Sequence, residues 1–176
     1  MDKEPEKIRL IKIIRGLCIF FILALIVSGI TAFPLETEMR IACNILGIDT
    51  TLSPDEYSGL QYWIATVYAA LLDTNQAYPF LAYGFDWLAF AHIVIAIAFV
   101  GVYLKPVQNI WVVHFGMIAC IGILPLAFIC GPIREIPFYW TLIDCAFGVF
   151  GIIPLYFLHK YIKKLEALLG YTPREY

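Results

Sequence analysis

Charge is what this sequence has least of. Only 15% of its 176 residues are charged and 61% are hydrophobic, against about 25% charged in a soluble domain of this size. No water-soluble fold hides that much apolar surface, so lipid must cover part of it; the mean hydropathy of +0.81 agrees. The net charge of -2 lends no support to nucleic-acid binding. Three histidines are too few for a histidine-rich di-iron desaturase centre. No Cys-x-x-Cys pair occurs among the five cysteines, and no glycine-rich phosphate loop is present. Gly148 and Gly151 fall inside an apolar run, where they read as a packing pair. Repeats and low-complexity linkers are also missing, so residues 1–176 read as a single membrane domain.

What is present are four long gaps between charges. They run from Arg15 to Glu36, from Trp87 to Leu104, from Pro106 to Ile133, and from Ile136 to His159 with only Asp144 inside. A spanning helix needs roughly 20 apolar residues. The sequence therefore predicts an all-α, four-transmembrane-helix bundle, with spans at about 11–33, 86–104, 107–130 and 137–159. The first apolar stretch exceeds the 7–15 residues of a usual signal-peptide core, so it reads as a span.

Lys and Arg set the orientation. Ten of them (Lys3, Lys7, Arg9, Lys12, Arg15, Lys105, Lys160, Lys163, Lys164 and Arg174) fall on one side, and only Arg40 and Arg134 on the other. This asymmetry places both termini in the cytoplasm. Residues 34–85 then form an outer, periplasmic helical cap. It begins with a short helix around Leu35 to Leu46. Ser53-Pro54-Asp55-Glu56 reads as the N-cap and first turn of a second helix. In that helix Leu60, Trp63, Ile64, Val67, Tyr68, Leu71 and Leu72 share one face, and Gln61 and Ala65 fall largely elsewhere, as expected of an amphipathic helix on the membrane surface. Two packing faces are also expected: Ala24-Ser28-Ala32 in the first span, and Thr141-Asp144-Gly148-Gly151 in the fourth. Pro125 and Pro154 each free a carbonyl one turn earlier and are expected to bend their helices.

The polar side chains gather toward the outer side. Glu36, Asp86, His92, Arg134, Trp140 and Asp144 are the candidates for lining an outward-opening pocket. Asp144 is singled out because an intramembrane carboxylate is costly: either it pairs with Arg134 or bonds to Thr141, or it serves as a proton carrier or acid. Asp86 reads first as a helix-terminal charge complementing the dipole of the second span. Together the two aspartates also suit an acid/base pair. Bacterial lipoprotein signal peptidases are four-span proteins of this size with such a pair. The asparagine- and arginine-containing motifs that flank their aspartates are missing here, so the likeness is one of architecture. His92 and His114 are the candidates for ligating a b-type haem, but counting from the turn at Lys105 leaves them offset by roughly 6 Å along the membrane normal. A structural role is therefore preferred for both, and no cofactor is expected. His159 reads as an interfacial residue. Trp63, Trp87, Trp111 and Trp140 form an aromatic belt. Cys43 and Cys130 both lie toward the outer side, where a disulfide is permitted.

Three blocks carry a resemblance: Thr31-Ala-Phe-Pro-Leu-Glu36, Tyr78-Pro-Phe-Leu-Ala-Tyr-Gly84 with Asp86-Trp87, and Cys130-Gly-Pro-Ile-Arg134 through Leu142-Ile-Asp-Cys145. In these the chain resembles a family of short bacterial four-span integral membrane proteins with no activity attached. The resemblance implies a bacterial inner membrane and no mechanism. Three readings follow. The preferred one is a non-catalytic protein whose outer pocket binds a lipid, a small molecule or a partner subunit, a second copy of the chain included. The second is an electron-transfer or quinone-linked protein using His92 and His114. The third is a membrane hydrolase using Asp86 and Asp144.

Overall fold

The computed structural model describes residues 4–170, of which 86% are helical and none lies in a strand. Lys3 and Arg174 of the charge count lie outside the described residues. Six α-helices follow one another: α1 (Glu4–Ala32), α2 (Leu35–Ile45), α3 (Gly59–Ala77), α4 (Tyr83–Leu104), α5 (Ile110–Ile133) and α6 (Phe138–Leu169). Helices α1, α4, α5 and α6 are long and apolar enough to cross a membrane. The 24 residues of α5 alone extend roughly 36 Å, more than the ~30 Å of bilayer hydrocarbon. At 19 residues α3 has nearly the length, but it carries Gln61, Asp73, Asn75 and Gln76 and is not one of the four. The chain is an all-α, multi-pass membrane protein.

Packing divides the chain into two compact units: one comprises the residues up to Ala24 and from Ile95 onward, the other Leu25–Val94. In the first, α5 and α6 lie along one another. Glycine makes that approach possible. A Cβ at Gly148 would stand 2.5 Å from the carbonyl oxygen of Cys120, and one at Gly131 would stand 3.0 Å from Oγ1 of the buried Thr141. The expected Thr141–Gly148–Gly151 face is thus the α5–α6 contact, with Asp144 half-buried at its edge. Phe99 and Leu155 are fully buried and meet over Gly116, and the Phe21 ring lies 4.6 Å from Phe99.

The connection between α4 and α5 is held by one side chain. Asn109 Nδ2 donates to the carbonyls of Gly101 (2.9 Å) and Lys105 (3.0 Å), which also accept from the Lys105 and Asn109 amides, so the side chain adds a second bond to each. Helices α5 and α6 continue through Pro125 and Pro154. Helix α6 runs ten residues past His159, where the sequence pattern suggests an end. Leu158, Ile162 and Leu165 keep one buried face through that extension, while Lys160, Lys163 and Lys164 stay exposed. It stops at Gly170, whose φ of 60° lies in the left-handed region that glycine adopts freely.

In the second unit, the close approach on α1 is made at Gly29 and not by the Ala24-Ser28-Ala32 stripe. Ala24 and Ser28 are exposed, whereas Gly29 is buried, and a Cβ there would meet the carbonyl oxygen of Ala89 at 2.9 Å. Only a residue without a side chain admits another helix's backbone that closely, so the glycine decides the face. Helices α2 and α3 form an antiparallel hairpin. Asn75 near the end of α3 donates to Glu36 at the start of α2 (2.9 Å), and Gln61 at the other end donates to the carbonyl of Leu46 (2.8 Å). Cys43, Ile48, Ile64, Ala65 and Tyr68 fill the space between them. The buried face of α3 follows the expected one at Ile64 and Tyr68, with Trp63, Val67, Leu71 and Leu72 half-buried; it widens to take in Ala65 and, in part, Gln61, while Leu60 is exposed. Ser53 does cap a turn, accepting from the Asp55 amide, but that turn is a 3-10 segment, Pro54–Glu56. Tyr57 is then extended, its hydroxyl accepting from the Asp49 amide (2.8 Å), and α3 begins only at Gly59.

Candidate functional site

Two adjoining hollows in the second unit share Asp86. This residue lies in the first turn of α4, which follows the 3-10 turn Pro79–Ala82, and there its carboxylate complements the positive end of the helix dipole. On one side is a hollow of about 340 Å³ walled by Phe33, Tyr83, Trp87 and Phe90. Tyr83 and Trp87 meet edge-on at 5.9 Å, as do Trp87 and Phe90 at 6.1 Å. On the other side is a crevice of about 290 Å³, lined among others by Glu36, Thr37, Asn75, Phe33 and Asp86. Glu36 sits in the first turn of α2, held by Asn75. Among the described residues Asp86 has no ion pair and accepts no hydrogen bond. The result is a half-buried, unpartnered carboxylate with aromatic faces on one side and a second carboxylate on the other. Such a lining is chemically suited to a cation with an apolar body, because ammonium groups are attracted by carboxylates and by aromatic faces alike.

Of the six residues expected to line a pocket, Glu36 and Asp86 are brought together. His92 lies two turns further along α4, and its Nδ1 is 2.8 Å from the carbonyl oxygen of Leu88. A carbonyl only accepts, so Nδ1 is the donor in this contact. Arg134, Trp140 and Asp144 belong to the first unit. Arg134 is exposed at the C-cap of α5, and Trp140 is half-buried in the first turn of α6. Asp144 is half-buried; among the described residues it has neither an ion pair nor a hydrogen bond, and Thr141 donates instead to the carbonyl of Pro137 (3.4 Å). The Asp144–Arg134 pair is thus not formed.

The histidine that meets His114 is His159. Their rings lie 5.0 Å apart, tilted by 49°, on α5 and α6. Trp111 packs edge-on against His114 at 6.2 Å. This pairing was hidden because α6 continues past His159, so that residue is not at a helix end. No group of three or more His, Cys, Asp or Glu able to hold a metal occurs among the described residues. All five cysteines are free, Cys43 buried in the second unit and Cys130 exposed in the first. Burial pushes the Cys43 thiol above its ordinary pKa.

Sequence reasoning missed the aromatic wall, taking Trp87 as part of the belt. The signal was there in the spacing of Tyr83, Trp87 and Phe90, three and four residues apart around Asp86. It missed Asn75 because that partnership spans 39 positions in the chain. Fold and site together define a multi-pass helical membrane protein with an acidic, aromatic-walled hollow at a span end. Comparisons with protein-family models, with curated proteins and with solved structures give no match.

Proposed function

We propose that this chain is an integral protein of a bacterial inner membrane, with both termini cytoplasmic, that acts without catalysis by binding a small amphiphile with an ammonium head at its outer side. One observation carries the reading. The unpaired Asp86 lies between the aromatic hollow and the crevice that holds Glu36. An ammonium at Asp86 has Trp87 and Tyr83 faces beside it and the apolar wall of a span below it for its tail. Ten basic residues on one side against two on the other support the orientation. The resemblance of the Thr31–Glu36 and Tyr78–Trp87 blocks to bacterial four-span proteins supports the membrane.

Binding of single-chain detergents of equal tail length tests it. The trimethylammonium form is expected to bind about tenfold more tightly than the sulfate form, a preference worth about 1.4 kcal/mol. Asp86→Asn should abolish the preference, and Glu36→Gln should reduce it. Equal binding of both charges by the native chain would overturn the reading. Loss of all binding on Trp87→Ala with the charge preference intact in Asp86→Asn would make the hollow an apolar tail site only.

A further inference from the structure

We propose a second, separate site in the first unit that holds the head of an anionic phospholipid. A hollow of about 320 Å³ lies beside the α4–α5 connection. Its two charged residues are both cations, Arg15 of α1 and Lys105 of the connection, and no carboxylate lines it. Neither cation forms an ion pair among the described residues. The Arg15 guanidinium lies over the ring of Tyr103, 5.1 Å from its centroid. That contact fixes the group while leaving its N–H fork free for a planar or tetrahedral oxyanion.

Position in the fold identifies the ligand. Lys105 sits between two consecutive spans, so it stands where the membrane ends. Tyr103 holds the Arg15 head within one turn of that level. The remaining walls are largely hydrocarbon: Tyr103 and Leu104 lie on the span side of Lys105, and Leu165 and Leu169 of the α6 extension close the hollow on the other side. Two uncompensated cations at the headgroup level, next to Leu104 at the exposed end of a span, suit a phosphodiester whose acyl chains continue along that span into the bilayer. A free phosphate would use the cations and leave the adjoining span surface at Leu104 uncovered. Lipid heads are held in this way by basic pockets between spanning helices.

The test uses the full chain in mixed phosphatidylcholine–phosphatidylglycerol nanodiscs, extracted into detergent, with the retained lipid counted by native mass spectrometry. The native chain should retain phosphatidylglycerol about tenfold over phosphatidylcholine, as two cations near an anionic head provide. Arg15→Gln with Lys105→Gln should erase the preference, while Lys164→Gln, on the exposed side of the α6 extension, should keep it. The exchange Arg15→Lys with Lys105→Arg preserves both charges and should retain most of it, which separates loss of the site from loss of the fold. Equal retention of the two lipids by the native chain overturns the proposal. So does displacement of phosphatidylglycerol by inorganic phosphate at matched ionic strength, which would make this a free-anion site.

Discussion

Glu135 is the one non-glycine among the described residues with a positive φ, 57°. It follows the C-cap residue of α5, where the Ile136 amide donates to Gly131 and the Glu135 amide to Pro132, the two bonds that close a helix on a left-handed residue. A side chain in that conformation costs about 1–2 kcal/mol, which glycine avoids at some entropic cost of its own. Glu135→Gly is therefore expected to stabilise the protein by about 1 kcal/mol in thermal melts in detergent. Asp49 is the opposite case, a residue whose side chain is essential to its turn. Its carboxylate accepts from Thr51 Oγ1 (2.7 Å) and the Thr51 amide (2.9 Å), and these bonds hold it below its ordinary pKa of 3.8. A lowered pKa means that the contribution is present above the unfolded value and lost as pH falls through the folded one. Asp49→Ala should therefore speed amide exchange in α2 and α3 at neutral pH. The difference from the native chain should close once the carboxylate is protonated, below pH 3.8.

At the scale of elements, α5 and α6 provide a paired experiment on glycine. Gly148 has no room for a methyl group, since a Cβ would overlap the Cys120 carbonyl, and backbone cannot step aside as a side chain can. Gly148→Ala should cost about 2 kcal/mol, an overpacking penalty. At Gly122, on α5, an added methyl group would meet nothing within 4 Å. Gly122→Ala should instead be neutral or stabilising by up to about 1 kcal/mol, from helix propensity alone. Melting both variants in one detergent separates the two effects; a common sign would mean that the α5–α6 approach is not set by Gly148. The fourth-span packing face was legible in the sequence because its small residues repeat along one side. The first-span face was not, because a run of alanine and serine marks several sides and only the contact with Ala89 picks out Gly29. The helical hairpin shows the same limit. Apolar spacing announced α3 and most of its buried face, but not the burial of Ala65 or the bond from Gln61 to the Leu46 carbonyl.

For the molecule as a whole, the proposed orientation makes a direct prediction. In a background with Cys130→Ser, Thr50→Cys should react with a membrane-impermeant maleimide in intact spheroplasts, and Lys105→Cys only after permeabilisation. The reverse pattern would invert the molecule and put the Asp86 hollow on the cytoplasmic side. Four spans were determined by the sequence itself, because crossing a bilayer is a matter of length and apolarity along one continuous segment, both of which are local. The turn at Lys105 was legible for the same reason. Tertiary structure alone decided which polar groups meet: Glu36 with Asn75, His114 with His159, Arg15 with Tyr103, and Asp144 with neither Arg134 nor Thr141. Those pairings depend on helix rotation and on where each helix stops, and both are set by packing between segments far apart in the chain.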